Sequence, residues 1–205
     1  GYGDIEGSNY WVFTGSMLLG DMKFMAIFSM LFGAGLVLFI ERLQETGRPA
    51  YAIHYRRMLW LLAIGMLHAY LIWYGDILVT YALSGMIVVW CRRLPPWLLF
   101  IGGLCVVGVC TVIMLGSGLL ISEFAPEKIS IMGPDASERM ESIQGQLQAY
   151  TGPWAEQMQH RVLASMSVQT SGFVFFLFWR AAGLMLVGMA LYRWGVFSAK
   201  RSSRF

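Results

Sequence analysis

The chain has 205 residues, of which 57% are hydrophobic and only 13% charged, and its formal net charge is +3 at pH 7. A soluble domain carries about 25% charged residues; here the charges gather between long apolar runs, which excludes an ordinary soluble domain and points to several membrane spans. The small basic excess sits at the ends of those runs, where topology accounts for it, and gives no reason to expect a nucleic-acid partner.

The chain opens on Gly1 with no leader pattern before the first apolar run, which reads as a start inside a longer protein. Tyr10, Trp11 and Phe13 fit an interfacial aromatic belt. Asp21 is placed to cap the helix that follows, and a first span runs from Met22 to Ile40. Ala26, Ser29 and Gly33 form a small-residue stripe at helical spacing, which lets two membrane helices approach closely; Gly33-Ala34-Gly35 reads the same way. A charged loop, 41–57, carries Arg42, Arg48, Arg56 and Arg57. The second span, Met58 to Tyr74, ends at Gly75-Asp76, and the third starts at once and reaches Cys91, so the two form a tight hairpin whose Arg92-Arg93 pair snorkels to the interface. Pro95-Pro96 opens a fourth span that reaches Ile121, with glycines at 102, 103, 108, 116 and 118 read as close packing.

Residues 122–169 are polar and punctuated by glycine and proline. Met140, Ile143, Leu147 and Tyr150 recur at three- and four-residue spacing, and Trp154, Met158, Val162 and Met166 recur every four, so the stretch reads as amphipathic helices broken at Gly152-Pro153. Such helices suit the membrane surface or the outer mouth of the bundle. A fifth span runs from Ser171 to Trp194. The expected fold is therefore all-α, a polytopic transmembrane helical bundle of about five spans with one outward-facing amphipathic segment, forming one transmembrane domain over the whole chain. Cys91, Cys105 and Cys110 lie in or beside apolar runs with no disulfide or metal spacing, and read as small packing residues.

Loop 41–57, the Arg92-Arg93 pair, Arg193 and the tail after Trp194 together hold ten of the fifteen lysines and arginines, at ends that alternate correctly to share one side. The positive-inside rule places that side in the cytoplasm of a bacterial inner-membrane protein and faces 1–20, the Gly75-Asp76 turn and 122–169 outward.

Ionisable groups inside a bilayer are costly, so His68, Asp76 and Arg180 are the residues to weigh for chemistry. His68 lies roughly 10 Å below the outer turn and Arg180 roughly 14 Å deep at ~1.5 Å per residue, so they are expected to meet. A neutral imidazole beside a buried guanidinium has the makings of a general base with an oxyanion stabiliser. The plainer alternatives are that His68 bonds a neighbouring helix, that Arg180 pairs with Asp76 or Asp21, and that Asp76 caps the third span. Lys23 is expected to snorkel outward. The sequence holds no phosphate loop, zinc spacing or Gly-x-Ser-x-Gly elbow.

Three blocks carry a resemblance. The first is Lys23-Phe24, Phe28-Ser29 and Leu31-Phe32-Gly33-x-Gly35. The second is Arg56-Arg57, Gly65, His68, then Gly75-Asp76-Ile77-Leu78 and Tyr81-Ala82-Leu83-x-Gly85. The third is Gly183-x-Met185-Leu186-x-Gly188-Met189-Ala190-Leu191. Together they resemble the YeiB family of bacterial membrane proteins, over most of the chain apart from 122–169. The resemblance implies kinship with membrane acyltransferases. It also implies an additional N-terminal helix bearing Asp-x-x-Arg-Gly and further helices beyond this chain. On that footing an acyl donor of the CoA type, not tightly bound, approaches from the cytoplasm, where Arg56 and Arg57 attract its phosphates. His68 deprotonates an envelope glycan or small-molecule acceptor, Asp76 fixes the imidazole, and Arg180 stabilises negative charge. Two other expectations stand beside it: a permease for a small solute, and a subunit without turnover.

Overall fold

In a computed structural model of the chain, residues 23–124 and 151–197 are described, together with 11, 12 and 144. Among them the protein is all-helical, without strands. The helices are α1 (Lys23–Glu45), α2 (Ala50–Leu67), α3 (Leu78–Val88), α4 (Pro96–Phe124), α5 (Trp154–Ser167) and α6 (Phe178–Arg193). Two π-helical stretches extend them: His68–Ile72 prolongs α2, and Val168–Leu177 joins α5 to α6 without a break.

Local chemistry sets the boundaries. α1 ends in a Schellman turn, with Gly47 at φ 66 and the Arg48 N–H reaching Leu43 O at 3.0 Å. α6 ends the same way, with Gly195 at φ 75 and the Val196 N–H on Leu191 O at 3.0 Å. The carbonyl of Pro95 takes the first N–H groups of α4. The expected charged loop 41–57 is thus short: Arg42 lies on α1, and Arg56 and Arg57 lie on α2. The expected cap at Asp21 and the stripe from Met140 to Tyr150 lie outside the described residues.

α6 is the hub, packed between α1 and α4 and touching α3, with Ala181, Ala182, Gly183, Gly188 and Ala190 buried along it. Small residues make this approach possible. A Cβ on Gly33 would fall onto the Met185 carbonyl, one on Gly188 onto the Met30 carbonyl, and one on Gly103 would come within 2.6 Å of Gly183 O. The Ser29–Gly33 stripe therefore packs as expected. Gly35, Gly102, Gly108 and Gly116 do not, since a Cβ on any of them would meet open space. Gly118 lies where side chains are not described.

α2 and α3 run antiparallel, with Gly65 against Val79 and Met58 against Gly85, and α4 runs antiparallel to α6 and the π-helical stretch before it through Gly103–Gly183 and Cys110–Phe175. One end of the bundle is knitted by Arg92 to Tyr51 (3.0 Å), Tyr192 to Glu41 (3.1 Å) and Arg193 to the Leu94 carbonyl. That basic end is opposite the α2–α3 turn.

By length and composition two helices, rather than five, qualify to cross a membrane: Lys23–Glu45 and the continuous Gln157–Arg193; a shorter apolar helix covers Pro96–Val112. α2 has 18 residues with two arginines in its first half, and α3 has only 11.

Candidate functional site

The site forms where α2 stops. The chain widens into the π-helical turn His68–Ile72, leaves the helix at Trp73, and folds back so that Asp76 meets His68. The His68 Nδ1–H donates to Asp76 Oδ1 at 2.9 Å, and Asp76 Oδ2 accepts the Val79 N–H at 2.9 Å. Asp76 thus caps α3 and fixes the imidazole at once. The pairing occupies Nδ1 as donor and leaves Nε2 as the basic nitrogen. Asp76 is 4% exposed, whereas the His68 side chain remains one-third open, at 33%. A buried carboxylate orienting a half-open imidazole is an arrangement able to take and return a proton.

The turn carrying His68 is held from outside by α5 and its π-helical extension. Buried Ser165 donates to Ala69 O at 2.8 Å, the Arg161 guanidinium donates to Leu71 O, and the Tyr70 hydroxyl donates to Gln169 Oε1 at 3.2 Å. Arg161, Ser165 and Gln169 recur every four residues, so they share one helical face. Sequence reading followed the apolar stripe of this helix and passed over the polar one, yet the polar stripe makes the contact. Trp154 and Met166 of the apolar stripe stay exposed, at 65% and 49%. The π-helical turn explains the preference: widening the turn frees carbonyls from the i→i−4 pattern, and buried carbonyls need donors.

Arg180 does not join the pair. The Asp76 carboxylate is taken by His68 and Val79, while the Arg180 guanidinium lies 5.8 Å from the Phe176 ring. Tyr81 is fully buried and bonds Ser29 at 2.8 Å, tying α3 to α1.

Arg56 and Arg57 lie at the basic end of α2, away from the His68–Asp76 pair, and both are exposed. The Arg57 guanidinium sits 4.9 Å over the Phe39 ring. Beside them is a residue that sequence reading did not single out. His54, 1% exposed, donates from Nε2 to Gly85 O at 3.3 Å. It precedes the apolar run that begins at Met58. Burial holds its pKa below the ordinary histidine value; the Gly85 carbonyl opposes that shift and nearby Arg57 adds to it. Only its spacing of four before Met58 hinted at an inward face. Among the described residues no group of three or more His, Cys, Asp or Glu could hold a metal.

The chain is 32% identical over 211 residues to the uncharacterized protein YeiB of Escherichia coli (strain K12); the match takes in 99% of this chain and 49% of that protein. It is also 42% identical over 79 residues to the uncharacterized protein YxaH of Bacillus subtilis (strain 168), across 38% of this chain and 20% of YxaH. The chain therefore spans at most about half the length of these relatives. No family model matches the chain. No solved structure matches it either.

Proposed function

We propose that this chain, homologous along nearly its whole length to YeiB, is part of a multi-pass bacterial inner-membrane acyltransferase in which His68 is the general base. It moves an acyl group from a CoA-type donor to an envelope glycan or a small acceptor. The observation that carries the reading is the 2.9 Å bond from His68 Nδ1 to buried Asp76, which fixes the ring and leaves Nε2 as the basic nitrogen of a side chain one-third exposed. Transfer needs such a base: removing the acceptor's proton as the donor carbonyl is attacked raises its nucleophilicity, and the thiol of CoA leaves.

The membrane setting is supported by two helices of sufficient length and apolarity and by large apolar side chains left on the outside. Trp60, Ile64 and Leu71 on α2 with its extension, and Ile101 and Val112 on α4, are each at least 48% exposed. A water-soluble surface rarely carries so much contiguous apolar area, whereas lipid accepts it. In this reading the spans are about 22–40, 58–74, 77–91, 96–121 and 171–194, with the arginine-rich end cytoplasmic and the His68 end outward. Arg56 and Arg57 then stand where the donor's phosphates arrive.

A second reading, a permease for a small solute, is favoured by the two π-helical stretches joined beside His68 by the Tyr70–Gln169 bond, since interrupted helices mark many transport pathways. One assay separates the two. Full-length protein in membranes is incubated with radiolabelled acetyl-CoA and envelope glycan extract, beside a His68→Ala variant. The transferase reading expects label in glycan or small acceptor, reduced on the order of 10²–10⁴-fold in the variant, the range of general base catalysis. Wild-type rates in the variant would remove His68 from the chemistry. Solute uptake dependent on His68 without any acylated product would establish the permease.

A further inference from the structure

A cavity lies on the side of α2 that faces α1, with its basic end at His54 and Arg57, away from the turn that carries His68. It occupies about 250 Å³ between α1 and α2. Phe28, Phe32 and Phe39 form its α1 wall, Gly35 its floor, and His54 and Arg57 close it from α2. Three features define what it can hold.

The first is charge. The pocket is lined by apolar side chains except at its basic end, where His54 and Arg57 stand and no carboxylate contributes. Arg57 has no ion-pair partner among the described residues; the acids nearby on α1 are engaged elsewhere, Glu45 with Arg42 and Glu41 with Tyr192. The Arg57 guanidinium rests on the face of Phe39, which leaves its N–H edge for an incoming anion. The second is length. From Phe28 to Phe39 the lining covers roughly 16 Å of α1 at 1.5 Å per residue, about half of a hydrocarbon core roughly 30 Å thick. That is the depth one chain reaches from one leaflet. The third is the floor. Gly35 has open space where a side chain would stand, so its lack of a side chain is not needed for helix packing, unlike that of Gly33 two residues before it. What Gly35 provides is room in the pocket.

We propose that this cavity binds an amphiphile with an anionic head and a single apolar chain inserted among Phe28, Phe32 and Phe39, with the head on Arg57. An anionic phospholipid of the inner leaflet and a long-chain acyl-CoA share that chemistry. The site shares Arg57 with the acyl-transfer reading, and it adds a donor subsite to that reading only in the second case.

The test uses the full-length protein in phosphatidylcholine vesicles carrying trace photoactivatable phosphatidylglycerol, palmitoyl-CoA or phosphatidylcholine, each with the reactive group on the chain. The expected result is that at least one anionic probe labels Phe28–Phe39 and the His54–Met58 segment well above the zwitterionic probe. Gly35→Leu, which fills the cavity without meeting the fold, abolishes that labelling but leaves labelling at lipid-facing Trp60 and Val112. Arg57→Gln lowers the anionic preference by about tenfold, the loss of one charge-assisted contact. Equal labelling by all three probes, or labelling indifferent to Gly35→Leu, reduces the pocket to ordinary bilayer contact and overturns the proposal. Absence of labelling overturns it too, because the longer chain then closes the cavity. Phosphatidylglycerol alone identifies a lipid site and leaves acyl transfer to its own assay; palmitoyl-CoA alone identifies the donor.

Discussion

At the residue scale Asp76 carries two duties that a sequence reader could list but not combine. Its two carboxylate oxygens are used separately, one on the His68 ring and one on the Val79 N–H. The Gly-Asp turn and the upstream histidine were legible because a glycine followed by an aspartate before an apolar run is a helix-start signal. Their meeting was not, because eight residues along a regular helix would have carried His68 away from the turn; the backward fold at Trp73 brings them together. The duties separate by substitution. Asp76→Asn keeps a good cap, but its amide can donate to Nδ1 and so move the ring proton to Nε2. Melting should stay near wild type while transfer falls to about the His68→Ala level, as the wrong tautomer disables the base. Asp76→Ala should lose transfer and also about 1 kcal/mol of stability, the worth of a cap. Wild-type transfer in the Asp76→Asn variant would leave capping as the residue's whole role.

At the element scale the informative feature is the pair of π-helical stretches. Such turns are rare, well under 1% of residues in globular proteins, and two of them meeting beside His68 is a structural cost that the polar stripe of α5 offsets. Ser165 is the simplest probe. Ser165→Ala leaves the buried Ala69 carbonyl without its donor, which should cost about 1–3 kcal/mol. The loss should be local. Amide hydrogen exchange across 68–77 should accelerate, while α4 and α6 keep their protection. Unchanged exchange in that segment would show that α5 does not hold the turn. The amphipathic period of α5 was readable from sequence, and so was its break at Gly152-Pro153. Its facing was not: the polar stripe turns to the His68 turn through Arg161 and Ser165, while Trp154 and Met166 stay exposed.

At the scale of the whole molecule, the bundle depends on which glycines stand at helix crossings. Gly188 and Gly108 lie in equally apolar surroundings and look alike in sequence, yet a side chain on the first collides with the Met30 backbone and one on the second meets nothing. Gly188→Leu should separate α1 from α6 and yield aggregated or early-melting protein in detergent, whereas Gly108→Leu should purify as a single species with a melting temperature near wild type. Similar behaviour of the two variants would mean that α6 is not the hub. The basic end belongs to the same scale. Arg92, Tyr192 and Arg193 each reach another helix or the loop before α4, so charges that topology alone would assign to snorkelling also fasten the bundle.

The sequence by itself determined the helical class, the runs that become helices, the glycine and proline stops and the gathering of arginines at one end, because each depends on the local preferences of a few neighbouring residues. It also marked His68 and Asp76, since ionisable groups among apolar ones are conspicuous. Only the tertiary structure decided that these two touch, that the Arg180 guanidinium lies beside the Phe176 ring, that Ser165 rather than the apolar stripe faces the turn, and that Gly35 opens a cavity where Gly33 closes a crossing. Those outcomes depend on helix rotation and crossing, which one chain's periodicity leaves open and packing against the other helices fixes.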